Sequence, residues 1–148
     1  MNEREFTDQE KENQFAETFN FETTNVNGKT YNVDKLKQFA ESLPILETAT
    51  QTFEGAVRKG NYYWLDKNSR KLGPHDLLED WVSAQENPDW ADHVQNIKSA
   101  NLDNPIWIFQ EDGVVFDGMH RLTRALIEHQ PNIKYRLFDS LPKEAEIN

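Results

Sequence analysis

Residues 114–126 constrain the fold and the function of this chain more than any other segment, and they read VVFDGMHRLTRAL. The apolar start predicts a short β-strand, Asp-Gly predicts a turn, and the apolar spacing that follows predicts an amphipathic helix. The first turn of a helix presents unpaired backbone N–H groups and the positive end of the helix dipole. Because His120 and Arg121 lie in that turn, the segment predicts a binding site for a phosphate group.

The rest of the chain shows short strands and helices without a regular βαβ repeat. This pattern predicts an α+β fold, with a single small domain in which a short mixed sheet is flanked by helices. In the first half of the chain we expect a hairpin over residues 19–33 turned at Asn27-Gly28, a helix capped by Asp34 and reaching about Leu43, a strand over 61–65 and a polar turn over 67–73. These are followed by a helix from Pro74 to about Gln85, a helix from Pro88-Asp89, and strands over 105–109 and 114–116. The last expected elements are a helix from Met119 to about His129 and a strand over 133–138.

The apolar faces of these helices indicate which side chains enter the core. Val82 is expected to point inward, and His129 is expected on the apolar stripe of the helix from Met119. His120 and Arg124 are expected to point away from that stripe. The tryptophans are interpreted as core or core-edge residues, and these are Trp64, Trp81, Trp90 and Trp107.

Charge limits the classes of partner. The 148 residues carry a formal net charge of -10 and contain no basic run. Binding to DNA or RNA needs basic surface that displaces counterions, so no nucleic-acid partner is expected, whereas a protein partner remains open. Residues 1–18 are rich in Glu, Gln, Asn and Asp and predict a flexible acidic N-terminal arm, which leaves residues 19–148 as the domain.

Composition excludes several kinds of chemistry. The chain has no cysteine, which excludes disulfides, thiolate nucleophiles and cysteine-bound zinc. The four histidines show no ligand spacing, so no protein metal site is predicted. Residues 1–20 contain no signal-peptide core and no apolar run could span a bilayer, so a cytoplasmic protein without membrane contact is expected.

The segment Asp117–Arg121 has two interpretations. In the structural one, Asp117 caps the helix, Gly118 eases the turn, and the following polar side chains are solvated. In the functional one, Gly118 lets a phosphate approach the backbone, and His120 and Arg121 donate charged hydrogen bonds to it. Asp117 then orients them or acts as a base. The clustering of Gly, His and two arginines at one helix start favours the functional interpretation.

The stretch from about His93 to Phe138 resembles the ParB/sulfiredoxin-like superfamily, whose members have a strand pair followed by a Gly-x-His-Arg or Gly-x-Arg-Arg turn into a helix. The match is carried by the core Asp-Gly-Met-His-Arg at residues 117–121 and by the upstream His93 and Ile97. The resemblance implies binding of nucleotide phosphates by the backbone of Gly118 and Met119 and by the side chains that follow.

Known activities of that superfamily are ATP-dependent sulfinic acid repair, CTP hydrolysis in chromosome partitioning, and phosphorylation of free serine. Met119 stands at the position of the sulfiredoxin cysteine, so that repair chemistry is not expected. His120 replaces an arginine of the partitioning proteins, and Arg124 is one residue later than their final arginine. Asp117-Gly118 followed by His120 is most similar to the serine-kinase type.

We therefore expect a nucleotide-binding protein, a phosphotransferase or nucleotide hydrolase that uses ATP or ADP, with CTP as an alternative. Mg²⁺ would be held mainly by the phosphates. Asp117 and His120 are the candidate catalytic residues, and His93 is a further candidate for the site. A non-catalytic ParB-like module that binds a nucleotide or a protein is the alternative, whereas the acidic surface argues against a nuclease. The expected nucleotide-binding residues are Gly118, Met119, His120, Arg121 and Arg124, and Glu54 and Arg58 are candidates from the first half of the chain.

Overall fold

The fold is built around a four-stranded mixed sheet. The computed structural model describes residues 22–58 and 62–147. The predicted arm over residues 1–18 lies outside this part of the chain. The strands are β1 (Thr23–Val26), β2 (Lys29–Asn32), β3 (Leu46–Ala49), β4 (Trp64–Leu65), β5 (Lys71–Leu72), β6 (Ile106–Phe109), β7 (Val114–Asp117), β8 (Asn132–Phe138) and β9 (Glu146–Ile147). The helices are α1 (Val33–Ala40), α2 (Glu54–Arg58), α3 (Pro74–Glu79), α4 (Trp81–Ala84), α5 (Ala91–Ser99) and α6 (Met119–Ile127).

The main sheet has the strand order β3-β8-β6-β7. β6 pairs in parallel with β8 and antiparallel with β7, and β8 pairs antiparallel with β3. All four residues of β6 are buried because the strand is central and both faces of the sheet are covered. The chain passes from β7 into α6 and then into β8. Because only Gly118 separates β7 from α6, the start of α6 lies at the end of β7.

Each face of the main sheet has its own apolar cluster. α6 covers one face with Leu122, which is fully buried beside Ile106 and Ile108. α1 covers the opposite face, where Leu36 joins the ring of Phe138 in the second cluster. The alternation of side chains along a strand explains why neighbours in sequence enter different clusters.

Two small sheets complete the fold. β1, β2 and β9 form a three-stranded antiparallel sheet, and β4 pairs with β5. The predicted hairpin turn is confirmed, since Asn27 and Gly28 join β1 to β2 with φ values of 51° and 82°. These positive angles are the ones that a tight primed turn requires, and Asn and Gly adopt them at low cost.

The α+β prediction is confirmed, but several details differ. The N-cap of α1 is Asn32, whose side chain accepts from the Lys35 amide, and not Asp34. α1 ends at Ala40 and not near Leu43. β3 and β9 were not predicted, and β5 lies inside the predicted polar turn over 67–73.

The predicted helix over residues 74–85 is two helices. Asp80 between them has φ -143°, and its side chain accepts from the Ser83 amide, so α4 begins with its own cap. The break rotates α4 relative to the predicted face, and Val82 is 70% exposed and does not point inward. His129 also lies off the apolar stripe, because it is exposed with φ 54° just beyond the end of α6.

Candidate functional site

A cavity of about 360 Å³ lies between β1, the segment Tyr62–Trp64, and the turn from β7 into α6. Its volume falls within the roughly 300–1,000 Å³ that is common for small-molecule sites. Among the predicted site residues, those that line this first cavity are Asp117, Gly118, Met119 and His120.

Gly118 shapes the turn that opens onto the first cavity. It is the N-cap of α6 with φ 98°, a left-handed conformation that favours glycine. No side chain caps α6, so its first-turn amides and the positive end of its dipole stay available to a ligand. A Cβ at this position would lie 2.7 Å from Ile106 Cγ2, so glycine is required for close packing as well as for φ.

His120 and His93 form a hydrogen-bonded pair beside this turn. Nε2 of His120 lies 3.1 Å from Nδ1 of His93, which is 27 residues earlier on α5. Nε2 of His93 lies 2.6 Å from the carbonyl oxygen of Leu65 in β4. The ring centroids are 5.4 Å apart with 12° between the planes, so the two imidazole rings are nearly parallel.

The indole of Trp64 lies flat against both imidazoles. Its centroid is 4.2 Å from that of His120 at 6°, and 4.9 Å from that of His93 at 14°. Trp64 is 1% exposed, so the pair rests on a buried aromatic surface. The pKa of His120 is lowered to about 3, because burial disfavours its charged form and the nearby His93 and Arg121 add to the effect.

Asp117 and Arg121 pair with each other across one turn. Nη2 of Arg121 donates to Oδ2 of Asp117 at 2.7 Å, and Nη1 donates to the carbonyl oxygen of Pro105 at 3.1 Å. Burial raises the pKa of the Asp117 carboxyl above its ordinary value, and the charge and hydrogen bond of Arg121 offset part of that rise. Asp117 and Pro105 together hold the guanidinium of Arg121 in place.

The guanidinium of Arg121 belongs to a second cavity, of about 450 Å³, on the far side of the turn. Lys37 and Arg136 also line this second cavity, and Asp117 borders both cavities. The side chains of Arg121 and His120 therefore line different cavities, although the two residues are adjacent in sequence.

Arg124 lies outside both cavities. Its Nε donates to Glu128 at 2.8 Å, and its Nη1 donates to the carbonyl oxygen of Ala100. Glu54 and Arg58 are also remote from His120. They pair with each other at 3.2 Å and line a third cavity at the other end of α6.

Trp64 and β1 border the site, although neither was predicted to be part of it. Trp64 is buried, as expected for a core residue, but its ring also supports the two histidines. In β1, the hydroxyl of Thr24 donates to the carbonyl oxygen of Phe116 at 3.2 Å, which joins β1 to β7 beside the first cavity. The run Tyr62-Tyr63-Trp64 was the available signal, since three successive aromatic residues seldom all serve one core face.

Within residues 22–58 and 62–147, no group of three or more His, Cys, Asp or Glu side chains could hold a metal ion. In the same part of the chain, no helix has the length and apolar character needed to cross a membrane.

Comparisons of the chain with models of known protein families, with curated proteins and with solved structures found no match.

Proposed function

We propose that this protein binds a nucleotide in the first cavity, with a phosphate group at the start of α6, and transfers or hydrolyses a phosphoryl group there. The main support is that the uncapped start of α6 and the ring of His120, which stacks on Trp64, line the same cavity. A phosphate would accept from the backbone amides of Met119 and His120, where the helix dipole also favours an anion.

The charges around the turn support this proposal. Arg121 contributes a positive charge in the first turn of α6, and its pairing with Asp117 keeps it close to the backbone of Gly118. Phosphoryl transfer depends mainly on positioning and on stabilising charge around the phosphate. Asp117 borders the first cavity and is a carboxylate that could contact Mg²⁺, which would neutralise phosphate charge when bound.

The resemblance of residues 117–121 to the ParB/sulfiredoxin-like superfamily supports ATP or ADP as the nucleotide, with CTP as the alternative. It also supports a kinase or phosphohydrolase reaction. The proposal includes a cytoplasmic location, where these nucleotides are available.

A second candidate is a binding module without turnover. It is favoured by one observation: the guanidinium groups of Arg121 and Arg124 are both engaged within the protein. A site that must neutralise a transferring phosphoryl group would use such groups directly. Binding without turnover would support this second candidate.

The test of binding is a thermal-shift screen of ATP, ADP, CTP, GTP and pyrophosphate, each with and without Mg²⁺. A ligand that binds only the folded state stabilises it by about 2.7 kcal/mol at a hundredfold excess over Kd. We expect at least one nucleotide to raise Tm. If none does, the proposal is wrong.

Two exposed valines provide a matched pair of variants for the same screen. Val114 lines the first cavity and is 46% exposed, whereas Val82 is 70% exposed and does not line it. Val114→Glu would place a negative charge at the cavity and weaken the nucleotide-dependent shift, and Val114→Lys would strengthen it. Val82→Glu should leave the shift unchanged. Equal effects of the two glutamate variants would place the ligand elsewhere.

A further inference from the structure

When His93 is neutral, the hydrogen-bond chain from Leu65 through His93 to His120 has a single direction. The carbonyl oxygen of Leu65 can only accept, so Nε2 of His93 must carry a hydrogen and donate to it. In a neutral His93, Nδ1 is then an acceptor, and Nε2 of His120 must donate to it. The neutral His120 therefore has its lone pair on Nδ1.

This direction changes the role expected of His120. In the described part of the chain, Nδ1 of His120 has no hydrogen-bond partner, and His120 lines the first cavity. A phosphate oxygen is itself an acceptor and would not pair with that lone pair. A hydroxyl group would, because it carries a hydrogen to donate.

We propose that His93 and His120 form a proton relay that deprotonates the hydroxyl group of the phosphoryl acceptor, which is water or an alcohol. This inference rests on the proposed function. The acceptor O–H proton passes to Nδ1 of His120 as the acceptor oxygen forms its bond to phosphorus and the bond to the leaving phosphate oxygen breaks. The proton on Nε2 of His120 passes to Nδ1 of His93, and His93 keeps the proton that it donates to Leu65. The positive charge ends on His93, and the leaving group takes up the negative charge.

The surroundings of His93 suit it to hold that charge. Its Nε2–H donates to the Leu65 carbonyl, and such a bond strengthens when the donor is charged. The indole face of Trp64, at 4.9 Å, attracts a cation electrostatically. His120 by itself is a poor base, since its pKa is about 3.

The tautomers can be measured without any ligand. Two-dimensional ¹H–¹⁵N correlation spectra of the imidazoles at pH 7 distinguish protonated from unprotonated ring nitrogens. We expect Nε2–H with an unprotonated Nδ1 on both His93 and His120. The Nδ1–H tautomer on His120 would overturn the relay, whatever the protein binds.

Substitution of His93 separates proton transfer from positioning. In His93→Gln, the amide oxygen can accept from His120 and the amide nitrogen can donate to Leu65, but the side chain cannot take up a proton. The relay predicts that both His93→Gln and His93→Ala slow phosphoryl transfer by about 100-fold or more while the nucleotide-dependent Tm shift is retained. His75→Gln, an exposed histidine outside the first cavity, is the matched control and should turn over normally.

The outcomes distinguish the relay from the function on which it rests. Near-normal turnover in His93→Gln with loss in His93→Ala would overturn the relay and leave His93 as a positioning residue. Nucleotide binding by the unmodified protein without turnover would overturn the relay but keep the binding site. Absence of any nucleotide-dependent shift in the unmodified protein would overturn the proposed function itself.

Discussion

Gly118→Ala tests whether the turn into α6 depends on close packing as well as on backbone conformation. The φ of 98° costs an L-residue about 1–2 kcal/mol. The new Cβ would also lie 2.7 Å from Ile106 Cγ2 and 3.0 Å from Arg121 Nη2. Ile106 is fully buried, and Arg121 is held by Asp117 and Pro105, so neither can move freely. Such overpacking costs about 1–3 kcal/mol, which gives a total loss of about 2–5 kcal/mol.

Two other glycines separate these contributions. Gly113 has φ 70° with no atom within 4 Å of its Cβ position, so Gly113→Ala should lose only the conformational part, about 1–2 kcal/mol. Gly55 lies in α2 without positive φ and with open space around it. Gly55→Ala should therefore raise stability by about 0.5–1 kcal/mol.

The assay is urea unfolding followed by far-UV circular dichroism, with the free energy of unfolding compared at an unchanged m-value. From the most to the least stable, the expected order is Gly55→Ala, the unmodified protein, Gly113→Ala and then Gly118→Ala. If Gly118→Ala loses no more than Gly113→Ala, the packing of Ile106 and Arg121 against the turn is not the constraint described above.

Two further predictions concern stability. Thr50 is buried and its hydroxyl has no hydrogen-bond partner among the described residues. Thr50→Val should therefore raise the free energy of unfolding by about 1 kcal/mol. If thermal melts show that the variant is less stable by a similar amount, the hydroxyl has a partner. The pKa of His120 is about 3 in the folded protein against an ordinary value of 6.5, so between these pH values the unfolded chain binds the extra proton. His120 should therefore make stability fall as pH falls through this window, by at most about 1.4 kcal/mol per pH unit. The slope should shrink in His120→Asn, and an identical slope in both proteins would contradict the neutral state of His120.

Local sequence determined the parts of this protein that depend on neighbours along the chain. The apolar run 114–116, the Asp-Gly turn and the helix after it were predicted because period and turn chemistry act within a few residues. The Asn27-Gly28 hairpin followed for the same reason. The break at Asp80 was missed because its cap competes with an apolar pattern that continues through it.

Only the tertiary structure decided what surrounds the candidate site. His93 and Leu65 reach His120 from elements that are remote in sequence, and no local pattern predicts their hydrogen bonds or the indole of Trp64 beneath them. Sequence placed His120 and Arg121 together, yet successive side chains of a helix point in different directions. Their side chains therefore line different cavities, because direction around a helix and long-range packing are settled only when the strands and helices assemble.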